Sequence, residues 1–237
     1  MSPDALWRPD EPTTARAASI AKDIAFHHSQ AERDLVAYYT TDGNYAGATF
    51  ANLGPKDPMR ITPTDLLAVT ALSVRIPPLA VRRLTSEGES AAEVERMLRA
   101  LPADLDIRQG KEHVEAMSEF YELVKRNLRR SGTESSSAWV TASKICARMR
   151  PQLFPVRDSV VAHVLGLKGS YPDDWPVFSD LMRDEELTAR VDDLVTSVAP
   201  REGIDVGDRT HTLKHLDVLL WMHGMRERKK SRPAPTQ

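Results

Sequence analysis

Apolar residues return every three or four positions along most of this 237-residue chain, and strand-type alternation is nearly absent. A strand buries every second side chain, whereas a helix buries one stripe, so this pattern predicts an all-α fold. Helical spacing holds from about Thr13 to Tyr39, through Ile20, Ile24, Ala31, Leu35 and Tyr38. "ITPTDLLAVTALSV" opens a further helix: Thr62 can cap, Pro63 suits the first turn and Asp65 favours the positive end of the dipole. Pro77 and Pro78 stop it and start the next. "SAAEVERMLRAL" is a helix ending near Pro102. "KEHVEAMSEFYELVKRNLRR" carries a buried stripe of Val114, Met117, Tyr121, Val124 and Leu128. Trp139 to Met149 forms a helix with Ala142, Ile145, Cys146 and Met149 on one face and Lys144 and Arg148 on the other; Pro151 ends it. More helices follow Asp158 and run through "YPDDWPVFSDLM", "DEELTARVDDLVTSV" and "DRTHTLKHLDVLLWMHGM". The total expected is roughly nine or ten helices.

Between these lies "TTDGNYAGATFANLGPKDPMR", rich in Gly, Asn and Asp. It reads as a loop, with a small β-excursion at Tyr45 to Phe50 within residues 45–61. Such long loops border ligand pockets or pack on themselves. The organisation expected is an irregular arm over residues 1–12, one helical domain over 13–227, and a disordered basic, Pro-rich tail over 228–237.

Charge narrows the function. Positive and negative side chains nearly balance, at a formal net charge of −2, where dedicated nucleic-acid binders are usually basic. Local basic patches still act. The single cysteine, Cys146, permits no intrachain disulfide, which fits a reducing cytoplasm. No apolar run approaches the ~18 residues of a membrane span, so no membrane association is expected. No signal-peptide core precedes Asp10.

The stretch carrying chemistry is "TASKICARMRPQLFPVRDSVVAHVLG", residues 141 to 166. A short helix leads through a Pro-rich crossing to one acid, Asp158, opening a second helix. Residues 139–166 resemble the core motif of helix-hairpin-helix DNA glycosylases. Thr141-Ala142 corresponds to the helix start, Phe154-Pro155-Val156 to the crossing, and Asp158 to the acid. Over most of its length the chain also resembles an uncharacterised bacterial family with signatures like "ITPTDLLAV", "SVRIPP" and "FPVRDSVV".

The glycosylase resemblance implies a monofunctional N-glycosylase that excises a modified or mispaired base from duplex DNA. Val140 stands where bifunctional relatives place a Schiff-base lysine, so water is the expected nucleophile. Lys144, three residues past Thr141, is expected to point away from the reacting centre. Ser136 and Ala138 occupy the hairpin-glycine positions, which argues against phosphate binding through that hairpin. His163 replaces an arginine often found after the acid.

Chemistry supports an acid at this place independently. Cleaving an N-glycosidic bond builds cationic character on the sugar, which a carboxylate stabilises. Asp158 is therefore the candidate catalytic residue. Lys144, Arg148, Arg150, Arg157, Trp139 and His163 are the candidate nucleic-acid contacts. Each has a plainer reading: Asp158 as a helix N-cap, the cations as a solvated face, Trp139 as a core anchor. A non-catalytic helical module binding nucleic acid or an unspecified protein partner is the alternative function. A small-molecule enzyme with a pocket under the Tyr45 to Phe50 loop is a third. No cofactor is expected. His211 and His215, four apart, have metal-ligand spacing but lack an intervening glutamate, so no metal is expected either.

Overall fold

The computed structural model describes residues 6–8, 10–133, 138–167 and 171–230. Among the described residues there are twelve α-helices: α1 (Glu11–Phe26), α2 (His28–Tyr39), α3 (Gly47–Asn52), α4 (Pro63–Thr70), α5 (Pro78–Thr85), α6 (Glu89–Ala100), α7 (Val114–Asn127), α8 (Trp139–Met149), α9 (Ser159–Leu165), α10 (Tyr171–Arg183), α11 (Glu185–Val198) and α12 (Thr212–Lys230). A 3₁₀ turn covers Ile107–Gln109. The all-α expectation holds.

The helices pack as two neighbouring groups sharing one core cluster. One contains α1, α2, α9, α10, α11 and α12; the other contains α4 to α8. Short α3 bridges α2 and α4. The sequence signals at α4 act as expected. Thr62 accepts from the Asp65 amide, and the Asp65 carboxylate accepts from the Thr62 amide at 3.0 Å, closing a capping box.

The structure departs from the sequence reading at five places. The Thr13–Tyr39 segment is two helices, because His27 adopts φ −75°, ψ 68° and breaks the ladder. The buried stripe Ala17, Ala21, Ile24 restarts as Ala31, Leu35, Tyr39 on the new axis. The β-excursion is instead helix α3; the described residues hold only an isolated bridge, Thr40 to Ile204. Gly47 opens that helix so close to α2 that a β-carbon would lie 2.3 Å from the Tyr38 carbonyl oxygen. The N-terminal arm is not irregular throughout: Leu6 and Trp7 are buried in the core, and the Trp7 ring lies against Gly110. Helix α1 already starts at Glu11, where Asp10 caps it. At the other end α12 runs to Lys230, past the expected boundary at 227. Residues 1–5, 9 and 231–237 of the arm and tail, and Ser136 of the hairpin, lie outside the described residues.

The fifth departure matters most. Every residue of α8 from Thr141 to Met149 is buried, including Lys144 and Arg148. There is no solvated face, because α4 and α7 pack on this helix and the chain's own loops cover the remainder.

A cavity around Asp158

The crossing from Pro151 to Asp158 is not paired in a sheet, so its backbone donors need other partners. Two side chains supply them. The Val156 amide donates to Asp217 Oδ2 on α12 at 2.7 Å, and the Arg157 amide donates to Ser143 Oγ on α8. Phe154 anchors the start of the crossing against Trp175 and Phe120, at ring-centroid distances of 5.7 and 6.0 Å. The segment is thereby tied to both helix groups, and Asp158 follows directly.

Asp158 does cap α9: Oδ1 accepts from the Val160 amide at 2.8 Å, with φ −126° and ψ 144° at the cap. Its other oxygen lies 3.8 Å from Lys144 Nζ. The side chain also lines a cavity of about 430 Å³, within the range of small-molecule sites. Capping and cavity exposure therefore coexist in one residue.

The cavity lies at the seam between the helix groups. Its aromatic wall comes from α2, the loop that follows, and α12. Tyr38 and Tyr45 stack at 6.0 Å, and Trp221 meets both edge-on at 5.9 and 5.8 Å. Phe50 and Gly47 of α3 also line it, so the Tyr45–Phe50 segment borders a pocket. The opposite wall is the turn after α4, where Ser73 takes φ +60°, a left-handed conformation uncommon for a residue with a side chain. Lys144 donates to the Leu72 carbonyl in this turn at 2.8 Å. Contrary to expectation, Lys144 points toward Asp158, and burial lowers its pKa.

Asp217 is the second acid of the cavity. Oδ2 holds the Val156 amide; Oδ1 is buried without a hydrogen-bond partner among the described residues. Burial pushes its pKa well above the usual carboxylate range, and the negative charge of Asp158 acts in the same direction. The protonated acid can therefore present an O–H from Oδ1, because Oδ2 is already accepting. Lys214 completes the floor: its ammonium donates to the Val206 carbonyl at 2.7 Å, and burial, with Lys56 nearby, lowers its pKa to about 7.

The family model for a family of unknown function, DUF6308, matches residues 31–224. The chain belongs to DUF6308. The match spans "ITPTDLLAV", "SVRIPP" and "FPVRDSVV", as well as the cavity lining from Tyr38 to Trp221; Met225 and Arg228 lie beyond it. No curated protein and no solved structure matches the chain. These comparisons do not show the resemblance to helix-hairpin-helix glycosylases that residues 139–166 suggest.

In this DUF6308 chain the expected nucleic-acid contacts separate. Arg148 is 4% exposed; its guanidinium pairs with Asp65 at 2.9 Å and donates to the Phe50, Ala51 and Leu53 carbonyls. It clamps α3 to α4 and holds Phe50 at the cavity. Arg150 is 1% exposed and donates to the Leu98, Leu101 and Pro58 carbonyls. Its charge sits at the C-terminal end of α6, where the helix dipole favours it. Neither reaches a phosphate, so these two assignments are corrected. Arg157 pairs with buried Asp174 and lies 4.8 Å over the Trp139 ring. Trp139 packs against the core, and its carbonyl accepts from the Tyr121 hydroxyl at 2.7 Å. It serves as an anchor, not a wedge. His163 does not line the Asp158 cavity but a neighbouring groove. His215 donates from Nε2 to the Asp208 carbonyl at 3.1 Å and accepts the Tyr39 hydroxyl at Nδ1 at 2.9 Å. Both nitrogens are occupied, so the pair with His211 is not a metal site. No described helix is long and apolar enough to cross a membrane.

Asp217, Lys214, Tyr38 and Trp221 escaped the sequence reading as site residues. One signal was available. Asp217 lies in "LDVLLWM", between residues that are apolar on every side of a helix. An acid there has to be buried, and a buried acid asks for a reason.

Proposed function

We propose that this protein is a monofunctional hydrolase of N-glycosidic bonds, releasing a planar base from its sugar. The observation that carries the reading is the position of Asp158: its carboxylate opens on a cavity walled by aromatic rings instead of being sealed against its own helix. A flat heterocycle fits beside the Tyr38, Tyr45 and Trp221 rings, where stacking supplies affinity without selecting one base. As the C–N bond breaks, its electron pair leaves with the base. Asp217 offers the proton that stabilises the departing nitrogen or a ring acceptor on the base. The cation left on the sugar faces the Asp158 carboxylate, which also accepts the proton of the attacking water. Lys144, bonded to Leu72, orients that carboxylate.

The test is base release from a panel of nucleosides and lesion-bearing single- and double-stranded oligonucleotides. Asparagine caps helices about as well as aspartate. Asp158→Asn therefore keeps the fold and removes the charge, and its expected effect is a loss of release on the order of 10²-fold or more. Unchanged release in this variant ends the proposal, as does a panel without any product. Borohydride is expected to trap no covalent adduct; a Lys144-dependent adduct would replace water by an amine nucleophile. Binding without catalysis is the second reading, favoured by the commitment of one Asp158 oxygen to the Val160 amide. It predicts a bound ligand recovered intact.

A further inference from the structure

A groove of about 870 Å³ runs beside the Asp158 cavity and shares Met225 and Arg228 with it. Its walls come from α1, α9 and the last turns of α12. Arg16, Arg228 and Lys229 line it together with His163 and His223. Glu227 is the one carboxylate among the described lining residues, and it is paired with Lys230 at 2.8 Å. None of Arg16, Arg228 and Lys229 is in an ion pair among the described residues, whereas Arg60, Arg126 and Arg183 on other faces are matched with Glu95, Glu93 and Asp180. In a chain of net charge −2, three cations collected in one concavity are a local departure from balance. Arg228 stands at the junction, where it donates to the carbonyl of Ser159, the residue after Asp158, at 3.3 Å.

We infer that this groove binds the phosphate of the ligand whose base occupies the aromatic cavity, with Arg16, Arg228 and Lys229 as its cationic contacts. This rests on the reading of the cavity as a base-binding site and names the substrate class: a phosphorylated nucleoside, free or within a strand. The arrangement replaces the basic face expected on α8. A phosphate needs exposed, uncompensated donors, and those of Arg148 and Arg150 are consumed inside the fold. Across the junction the sugar lies near Asp158, the base lies among the rings, and the phosphate lies toward Arg228.

The experiment is fluorescence anisotropy on the full chain, with a labelled mixed-sequence single strand of about 12 nucleotides, titrated from about 50 mM salt upward. Wild type is compared with Arg16→Ala, Lys229→Ala, their double variant, and Lys111→Ala as an exposed control outside the groove. The double variant is expected to lose about tenfold or more in affinity at low salt, and its log–log salt slope is expected to become shallower by about 0.7 for each removed contact. Lys111→Ala stays within about twofold of wild type. No binding by wild type at low salt of either the strand or a labelled nucleoside monophosphate, or a double variant indistinguishable from wild type, overturns the inference. Unlabelled nucleoside monophosphates and nucleosides serve as competitors. Competition by monophosphates as strong as by strands assigns a free nucleotide; competition by strands alone assigns a polymer. Equal competition by nucleosides and their monophosphates refutes the phosphate site. Failure here and failure of the cavity reading are separable: strand affinity reports the groove, and Asp158→Asn base release reports the cavity.

Discussion

Asp217 is a single side chain in two situations: Oδ2 holds the crossing segment, and Oδ1 is buried without a hydrogen-bond partner among the described residues. Substitution separates the two. Asp217→Asn retains an oxygen for the Val156 amide and, like the protonated acid, bears no charge, so its stability should stay within about 1 kcal/mol of wild type. Asp217→Ala strands that amide in the interior and should cost about 1–3 kcal/mol. Urea denaturation of the two variants checks this; equal losses would mean the hydrogen bond to Val156 contributes nothing. Lys214 makes a separate prediction. Its ordinary pKa of 10.5 falls to about 7 in the folded chain. Between those values the unfolded chain holds a proton that the folded chain lacks, so stability rises with pH across that window, and the burial cost is fully present below it. Lys214→Gln should flatten that rise relative to wild type in denaturation series from pH 7 to pH 10. An unchanged slope would place the titration elsewhere. At this scale Asp158 was legible in the sequence, because an acid after a proline crossing has only a few roles. Arg148 and Arg150 were not. Arg148 follows Lys144 by four residues, the spacing of a solvated helix face, and the covering of Arg148 and Arg150 by distant carbonyls is invisible in a linear reading.

Among the elements, the contact between α9 and α12 decides where Asp158 stands, because the acid caps α9 and the cavity floor is α12. Gly224 permits their approach: a β-carbon there would lie 2.4 Å from Val160 Cγ1 and 2.8 Å from Val164 Cγ2. In a helix interior Gly→Ala ordinarily gains about 0.5–1 kcal/mol. Overpacking a tight contact costs about 1–3 kcal/mol, so the clash should win. Gly224→Ala is expected to lower the thermal midpoint and to weaken base release together; a raised midpoint would show that the helices have room. Helix starts and stops were readable wherever Pro, Thr or Asp marked them, as at α4 and α8. Helix α3 was not readable. "GATFAN" has no strong helical preference, and its carbonyls are held by Arg148 from almost a hundred residues away.

Across the whole molecule, one cluster of buried side chains extends from Leu6 to Met222 and joins both helix groups. Unfolding should therefore be a single cooperative transition. Trp7, Trp139, Trp175 and Trp221 sample different parts of the core, so tryptophan emission and far-ultraviolet circular dichroism should report the same midpoint in urea. Separated midpoints would show that the two groups melt independently. The fold class was legible because periodicity is a local property of the chain. The cavity was not, because its walls come from residues 38 to 228 and meet only after folding.

Trp221 packs edge-on against both Tyr38 and Tyr45, with its indole ring in the cavity wall. An indole's emission is sensitive to what borders it, and an aromatic guest beside it accepts or quenches that light. The chain thus contains a built-in optical gauge of occupancy. Candidate molecules can be screened by colour and brightness alone, before any chemistry is known and without a label.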